Sequence, residues 1–562
     1  HIERMDPLYY IKYERVNKST GQAYISIATV RPEPIAEDTH LAVNPKDKKH
    51  KALIGEKVLN PLTGAEMEII GDSFVDPKFG TGIVKLTPAV DKNDYEVAKK
   101  HKLPINEVLE LSGKMKGRYA GLSVKDARKK SVEELEQKGQ IEKVNEKYSH
   151  SVSVCKAGHD IEPMIMPNWF IKVDDPKKSF KKPALEVVKN GTVKIFPKWR
   201  EITYIRWMEE MYDWPISRQN VWGIQIPVWY QVDNPTHFTV WFLDKKGEYH
   251  HGNLQDFLEK GVKFDEITQG LQRVIAQANV KWVFEEGKNK NTKYLPETDT
   301  FDTWFSSGQW PLVTLGYPDS EDFKYFYPTN VMETGWEIIR LWVSRMVMFG
   351  IYLTGKPPFE HVYLHGMVRA LDGRKMSKSL GNVINPEEYL DQYGVDALRM
   401  GLIAGTSNGK DFSFPKDRVI AYKHFANKIW NMGRFILMMK EQWEKDVPEF
   451  EALDKKKMAK EDKEIVKELE TLVKTVDREL TKFRFADAAE AIYQFMWHTV
   501  ADKYIEQVKN REDKDVALSV LMHVYIISLK LLHPFMPFVT EEIFQTFQGR
   551  DKSIMIEPWP QK

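Results

Sequence analysis

One ten-residue segment restricts this chain more than any other: Gly373-Arg374-Lys375-Met376-Ser377-Lys378-Ser379-Leu380-Gly381-Asn382. It follows the apolar run Val362-Tyr363-Leu364 and then His365-Gly366, and it precedes Asn385-Pro386-Glu387-Glu388. Asn is a good N-cap and Pro suits a first helical turn, so a helix is predicted from Pro386, ended by Gly394. The two lysines therefore sit in a small-residue loop between a strand and a helix. Ammonium groups three residues apart on such a loop reach phosphate oxygens and neutralise charge developing on them. By charge alone, a basic surface turn is the commoner reading of the same residues.

A strand–loop–helix unit belongs to α/β architecture. Residues 151–415 agree: strands and helices alternate, with many Trp and Pro. Residues 1–150 mix short β-rich runs (8–12, 24–30, 82–86) with turns and one short helix at 94–101. From 416 onward Gly and Pro thin out, and Phe485, Ala488, Ile492, Phe495, Met496, Tyr504, Ile505 and Val508 fall near i, i+3, i+4 spacing. The predicted architecture is multidomain: a β-rich domain over 1–150, an α/β domain over 151–415 and an all-α domain over 416–562. A length of 562 residues suits three to four domains. The Lys- and Glu-rich stretch 440–482 reads as a connector and solvated helix faces.

With 42% hydrophobic residues the chain is not mainly disordered. Lys plus Arg is 82 and Asp plus Glu 81, a net charge of +1, so a nucleic-acid partner must be held by local patches and shape. The single Cys155 excludes an intramolecular disulfide and a Cys-pair zinc site, and it fits a reducing cytosol. The most apolar stretches, near 338–353 and 520–539, carry Arg340, Arg345, Lys530 and His533. A span needs about 20 nearly uncharged residues, so these read as buried helices and no membrane is expected. Gly350-Ile351-Tyr352-Leu353-Thr354-Gly355-Lys356-Pro357 nearly fits a phosphate-binding loop, but Pro357 stands where the hydroxyl is needed and the segment follows an apolar helix.

The word Lys-Met-Ser-Lys-Ser closely resembles the ATP loop of class I aminoacyl-tRNA synthetases. Asp213-Trp214-Pro215-Ile216-Ser217-Arg218-Gln219, with Trp222-Gly223 and Ile226-Pro227-Val228-Trp229, is similar to the members for valine, isoleucine and leucine. Asp302-Thr303-Trp304-Phe305-Ser306-Ser307-Gly308, Trp310-Pro311 and Glu333-Thr334-Gly335-Trp336-Glu337 resemble the valyl-tRNA synthetases in particular. The resemblance implies a Rossmann-like catalytic domain that joins valine to ATP and passes it to tRNA(Val). It implies ATP, with Mg2+, held by Lys375, Met376, Ser377, Lys378 and Ser379. Lys378 is then the leading catalytic group and Lys375 its support, while Gly335 and Glu337 approach the ribose. Trp222 and Trp304 would wall the valine side chain, and Asp299 would hold its ammonium. Without the resemblance, two Trp are more often core than pocket. A cytoplasmic monomer is expected.

Threonine is a near isostere of valine, and a hydrophobic pocket is known, for this very type of enzyme, to reject it only about 10²-fold. A second, hydrolytic site is therefore implied. The region 1–150 resembles the family's inserted editing domain through Thr29-Val30-Arg31-Pro32-Glu33-Pro34, Asp38-Thr39, Val43-Asn44-Pro45, Phe79-Gly80-Thr81-Gly82 and Thr87-Pro88-Ala89-Val90-Asp91-Lys92-Asn93-Asp94. The implied site comprises Thr29, Arg31, Asp91 and Asp94, with Asp94 on the amino group of the mischarged residue. Arg31 faces the RNA or braces its loop. Val30, Pro34 and Val90 depart from the family pattern, so an editing fold that is kept but impaired stands as an alternative.

Cys155 and His159 lie where relatives have a Cys-x-x-Cys knuckle, and two such ligands are too few for a structural zinc, so none is expected. The helical end resembles the anticodon-binding bundle through Trp430, Phe483-Arg484-Phe485, Trp497, Asp502, Tyr504 and the segment 532–542. A His-Ile-Gly-His-type ATP motif is absent from the sequence, so the N-terminal part of the catalytic domain is expected to be missing. The rival readings are isoleucyl-tRNA synthetase and a non-catalytic tRNA-binding or editing remnant.

Overall fold

The computed structural model describes residues 1–17, 23–155, 157–443 and 447–561; the side chain of Ser379 lies outside the described residues. They form two compact units, His1–Pro167 and Asn168–Lys562.

The first unit runs β1 (Ile2–Glu14), β2 (Tyr24–Thr29), β3 (His40–Val43), β4 (Lys57–Leu59), β5 (Glu66–Gly71), β6 (Ile83–Leu86), α1 (Lys92–His101), α2 (Val124–Gln137) and β7 (Ile141–Val152). One sheet has the order β2-β1-β7, all antiparallel, with Tyr9 opposite Thr29 and Ile2 opposite Val152. The expected boundary at 150 is corrected by this pairing. β7 runs through 150 beside β1, since cutting the ladder would orphan backbone groups, and the unit closes at Pro167. The second sheet has the order β4-β5-β3-β6, with β3 parallel to β5 and antiparallel to β6. Period-2 alternation turns Ile11 and Tyr13 of β1 and Ile25 and Ile27 of β2 into one core, which also takes Leu41, Val58 and Ile69. The helix expected at 94 begins at Lys92, because the Asp91 side chain accepts the N–H groups of Asn93 and Asp94 as its cap.

The second unit carries a parallel sheet of β8 (Lys194–Phe196), β9 (Thr329–Gly335) and β10 (Phe359–His365), in the order β9-β10-β8. Helix α3 (Ser344–Thr354) forms the crossover from β9 to β10, and its Met346 and Val347 pack on Ile195, Met332 and Val362. The apolar stretch expected near 338–353 is thus a buried helix, which Gly355 ends in a left-handed turn at φ 78°. Beyond β10 come the short parallel pair β11 (Val368–Arg369) and β12 (Phe412–Ser413). Between them lie α4 (Pro386–Tyr393) and α5 (Val395–Ile403). Asn385 caps α4 by accepting the Glu387 N–H at 3.1 Å, and Gly394 ends it, as the sequence predicts.

The helical part comprises α6 (Lys416–Gln442), α7 (Lys460–Thr481), α8 (Phe485–Gln494), α9 (Lys514–Leu532) and α10 (Pro537–Gln548). Its hydrophobic core already begins at Ala397, in α5, and reaches Ile554. After α8 the chain runs in wide π-type turns from Phe495 to Tyr504, and the buried stripe continues through Met496, Val500 and Tyr504. Helix α9 is long and apolar enough to cross a membrane, yet 67% of its most apolar window is buried inside the protein.

Candidate functional site

Gly335 and His365 are paired at the C-terminal ends of the adjacent parallel strands β9 and β10, the edge at which open α/β sheets bind ligands. Directly after β9 the chain makes a 3-10 turn, Trp336–Ile338. It folds the Glu337 carboxylate back over Gly335, so closely that a Cβ at 335 would stand 2.6 Å from Glu337 Oε2. That oxygen is buried and has no hydrogen-bond partner among the described residues. A buried acceptor left unpaired costs about 1–3 kcal/mol, so this one awaits a donor such as a hydroxyl. The turn holds the Glu337 carboxylate there because Gly335, without a Cβ, leaves room for it.

After β10, Gly366 passes so close to the next segment that a Cβ would sit 1.7 Å from the Lys410 carbonyl oxygen. Asp411 then gathers the root of the lysine loop. Its Oδ1 accepts the Trp336 Nε1–H at 2.7 Å and the Met367 N–H at 2.9 Å, and its Oδ2 accepts the Arg369 Nε–H at 3.0 Å. Burial pushes the Asp411 carboxyl up, but these donors outweigh it and hold it below the usual range. Sequence reasoning missed Asp411, which lies 29 residues past the end of the motif it braces. Within the loop, Asn382 Oδ1 accepts the Ser377 N–H at 2.8 Å and its Nδ2 donates to the Lys375 carbonyl at 3.2 Å. Lys378–Leu380 form a short 3-10 turn ended by Gly381 at φ 62°. Met376 is half-buried, while Lys375 and Lys378 are exposed and make no ion pair among the described residues.

Asp299 is 8% exposed and accepts the Gln219 Nε2–H at 2.6 Å. Burial and, after it, the neighbouring Glu297 charge push its carboxyl above the usual range. Glu297, also missed from sequence, accepts the Trp169 Nε1–H at 2.6 Å, the Tyr230 hydroxyl, and the N–H groups of Thr298 and Asp299 at 2.6 and 2.8 Å. The acidic pair at i, i+2 ahead of Asp302-Thr303-Trp304 was its one sequence signal. The two Trp do not meet as a wall. Trp304 packs half-buried beside the core of the parallel sheet, but Trp222 is 93% exposed on a loop with Val221 and Ile224. The expectation that Trp222 walls a pocket is corrected on this point: among the described residues nothing packs over its ring.

In the first unit, Thr29 is tied locally, its Oγ1 accepting the Arg31 N–H at 3.0 Å. Arg31 braces its loop. It donates to Glu33 at 3.1 Å, to Glu162 at 2.6 Å and to the Val90 carbonyl at 3.4 Å. Buried Glu33 also receives Arg128 at 2.8 and 3.0 Å. Asp91 is exposed and its Oδ1 is spent on capping α1, at 2.8 Å to Asn93 and 3.1 Å to Asp94. Asp94, one turn on, accepts the Thr87 N–H at 2.8 Å. Burial first, and the Asp91 charge second, push its carboxyl up to about 7. A carboxyl that ionises near neutrality suits reversible capture of an ammonium group.

Cys155 Sγ stands 3.7 Å from His159 Nδ1 on an exposed knuckle, two of the four ligands a structural zinc takes. In the helical part, Asp502 is engaged by Lys428 at 3.1 Å and His498 at 3.2 Å, Trp497 stacks on Phe425, and Trp430 is 39% exposed.

The family model described as "tRNA synthetases class I (I, L, M and V)" matches residues 36–415, and "Anticodon-binding domain of tRNA ligase" matches residues 462–562. A valine--tRNA ligase of Clostridium acetobutylicum is 39% identical over 566 residues, covering 98% of this chain and 58% of that protein. One of Thermotoga maritima is 40% identical over 570 residues, covering 100% and 60%, and one of Petrotoga mobilis 39% identical over 575, covering 100% and 60%. The chain thus spans 58–60% of the length of these relatives.

Proposed function

The chain belongs to the class I tRNA synthetases (I, L, M and V), and from that premise we propose that it carries out part of valine–tRNA ligation. In this reading ATP, as its magnesium complex, activates valine, and the product passes to tRNA(Val) held with the help of the helical bundle. The observation that carries the reading is the buried, unpartnered Glu337 Oε2 over Gly335, one strand away from the root of the lysine loop. Ribose hydroxyls supply the missing donors, and Lys375 and Lys378 supply positive charge toward the phosphates. Such a site accelerates adenylation by positioning and charge stabilisation, with no covalent group of its own. Buried Asp299 is the ammonium acceptor and Trp304 the side-chain wall.

The β-rich unit is the hydrolytic editing site, with Asp94 on the amino group of threonine attached to tRNA(Val). Arg31 holds the loop of Thr29, and Asp91 holds the helix that presents Asp94. The cytoplasm and a monomeric state belong to the same proposal. The valine relatives, together with Trp310-Pro311 and Thr334-Gly335, favour valine over isoleucine.

Valine-dependent ATP–pyrophosphate exchange tests the synthetic half. It is measured on this chain alone and on a polypeptide that adds the preceding segment of a curated relative. Exchange is expected only from the longer polypeptide, because positioning is most of the catalysis and this chain spans 58–60% of the length of its relatives. Exchange driven by isoleucine and not by valine would overturn the substrate, and no exchange from either polypeptide would favour a non-catalytic remnant.

A further inference from the structure

We propose that the outer face of a small antiparallel sheet in the second unit is a stacking platform for the unpaired 3′-terminal nucleotides of tRNA, with Trp241, His251 and Arg273 as its contact row; the assignment rests on the ligation reading above and adds a binding surface to it. Strands Phe238–Leu243, Tyr249–Asn253 and Leu271–Ala276 pair antiparallel, with Phe238–Leu243 in the middle. Period-2 alternation sends Phe238, Val240, Phe242 and Val274 to one side, where Leu254 and Ile267 of two short helices join them in a core. The opposite side carries Thr239, Trp241 and Leu243. In register, His251 and Arg273 lie opposite Trp241 on its two sides, so one row crosses all three strands. The His251 ring lies within 17° of parallel to the indole, with 6.1 Å between centroids, and the Arg273 guanidinium stands 5.3 Å from the Trp241 centroid. Tyr249, opposite Leu243 in the next row, is 63% exposed.

Two flat rings and a planar cation in one row suit an unpaired base. Every base offers a π face to an aromatic ring, and Arg both stacks and pairs with phosphate. Arg273 is unspent in the fold. Its Nε is buried without a hydrogen-bond partner, and its guanidinium makes no ion pair among the described residues. A buried donor without an acceptor is costly, and a phosphate or base oxygen supplies one. The place of the platform favours RNA over a protein segment. The Val274 N–H, next in the chain to Arg273, donates to Thr298 Oγ1 at 3.0 Å, and Thr298 precedes Asp299. The free edge of the sheet is thus tied to the segment assigned to the ammonium of valine, and the Arg273 charge favours the Asp299 anion. In ligation the RNA end that accepts valine must come to where valine is held. The unpaired nucleotides behind that end then pass beside this face, whereas a protein partner has no such need to approach it.

The test titrates the whole chain into 5′-labelled tRNA(Val) at fixed salt, once with the 3′ end intact and once with its unpaired nucleotides removed. Trp241→Ala should weaken binding of the intact tRNA about 5- to 100-fold, the range of one lost base stack, and leave binding of the trimmed tRNA as it was. Trp241→Phe should keep most of the affinity, since Phe still offers a π face. Arg273→Gln should weaken binding of the intact tRNA and lower the slope of its salt dependence by about 1, as the loss of one phosphate contact does. If Trp241→Ala does not fold, the exposed His251→Ala, judged by the same difference between the two RNAs, decides. Wild-type affinity in both Trp241→Ala and Arg273→Gln, equal losses on the intact and the trimmed tRNA, or a wild-type chain that binds both tRNAs alike or neither would each overturn the platform. Failure of the ligation reading shows separately: an unmodified chain that prefers the intact tRNA, while the longer polypeptide gives no valine-dependent exchange, keeps the platform and removes the ligation.

Discussion

Replacing Lys378 by alanine will lower kcat for valine-dependent pyrophosphate exchange about 10²–10³-fold, the loss seen when one preorganised charge-stabilising group is removed. The measurement is made in the longer polypeptide that adds the preceding segment of a curated relative. The Lys378 ammonium is exposed and makes no ion pair among the described residues. It gives little to the fold and little to ground-state binding of valine. Its charge matters most while negative charge builds on the phosphates, so the loss appears in kcat and kcat/KM together. The KM for valine should stay nearly constant, because Asp299 and Trp304 are untouched. Lys375→Ala should lose less, since the Lys375 carbonyl, held by Asn382, keeps the loop in shape without the side chain. A Lys378→Ala effect confined to the KM for valine would contradict this role.

The largest expected effect on stability lies in the helical part. Asp462 is fully buried and Arg511 nearly so. The guanidinium donates to Asp462 Oδ1 at 2.5 Å and to Oδ2 at 2.9 Å. The Tyr504 hydroxyl adds a bond at 2.6 Å, and the Ala459 N–H, at the start of α7, one at 2.9 Å. Arg511→Ala leaves that carboxylate buried with no countercharge, which costs about 3–5 kcal/mol. Urea unfolding followed by hydrogen exchange of α7 and α9 amides checks this in the part where the pair sits. The double change Asp462→Leu with Arg511→Met should recover most of the loss, because removing both charges also removes their desolvation. A single Arg511→Ala costing under about 1 kcal/mol would mean that the pair behaves as an exposed one.

Local rules made much of this molecule legible in the sequence. Asn385, Pro386 and Gly394 marked both ends of α4, and the apolar runs at β10 and α3 were read as strand and buried helix because periodicity and turn residues agree there. The π-type turns at Phe495–Tyr504 were not legible, since no residue type marks a widened turn and tertiary packing decides it. The limit of the first unit was misread for a related reason. Ile141–Val152 looks like any polar strand, and only its partner β1, more than a hundred residues earlier, shows where it belongs. For the candidate site, the contrast runs between groups that offer themselves and groups that hold them. Lys378, Glu337 and Asp94 lie in recognisable words. Asp411 and Glu297 lie outside those words, Asp411 gathering three donors and Glu297 two from segments distant in sequence. Trp222 failed in the opposite direction: a Trp in a motif suggested a wall, yet nothing in the described chain lies over it.

The proposal that this chain serves valine–tRNA ligation is tested most directly by hydrolysis, since the residues assigned to editing all lie in the first compact unit. The chain is incubated with tRNA(Val) charged with threonine or with valine, and release is followed over time and pH. Threonine should be released faster than valine. Above the uncatalysed rate, release should rise with pH through about 7, because Asp94 must be ionised to hold the ammonium and its carboxyl is pushed up to about 7 in the folded protein. Asp94→Ala should abolish the preference for threonine. Release of neither amino acid above the uncatalysed rate, or an Asp94→Ala variant that still prefers threonine, would contradict the account.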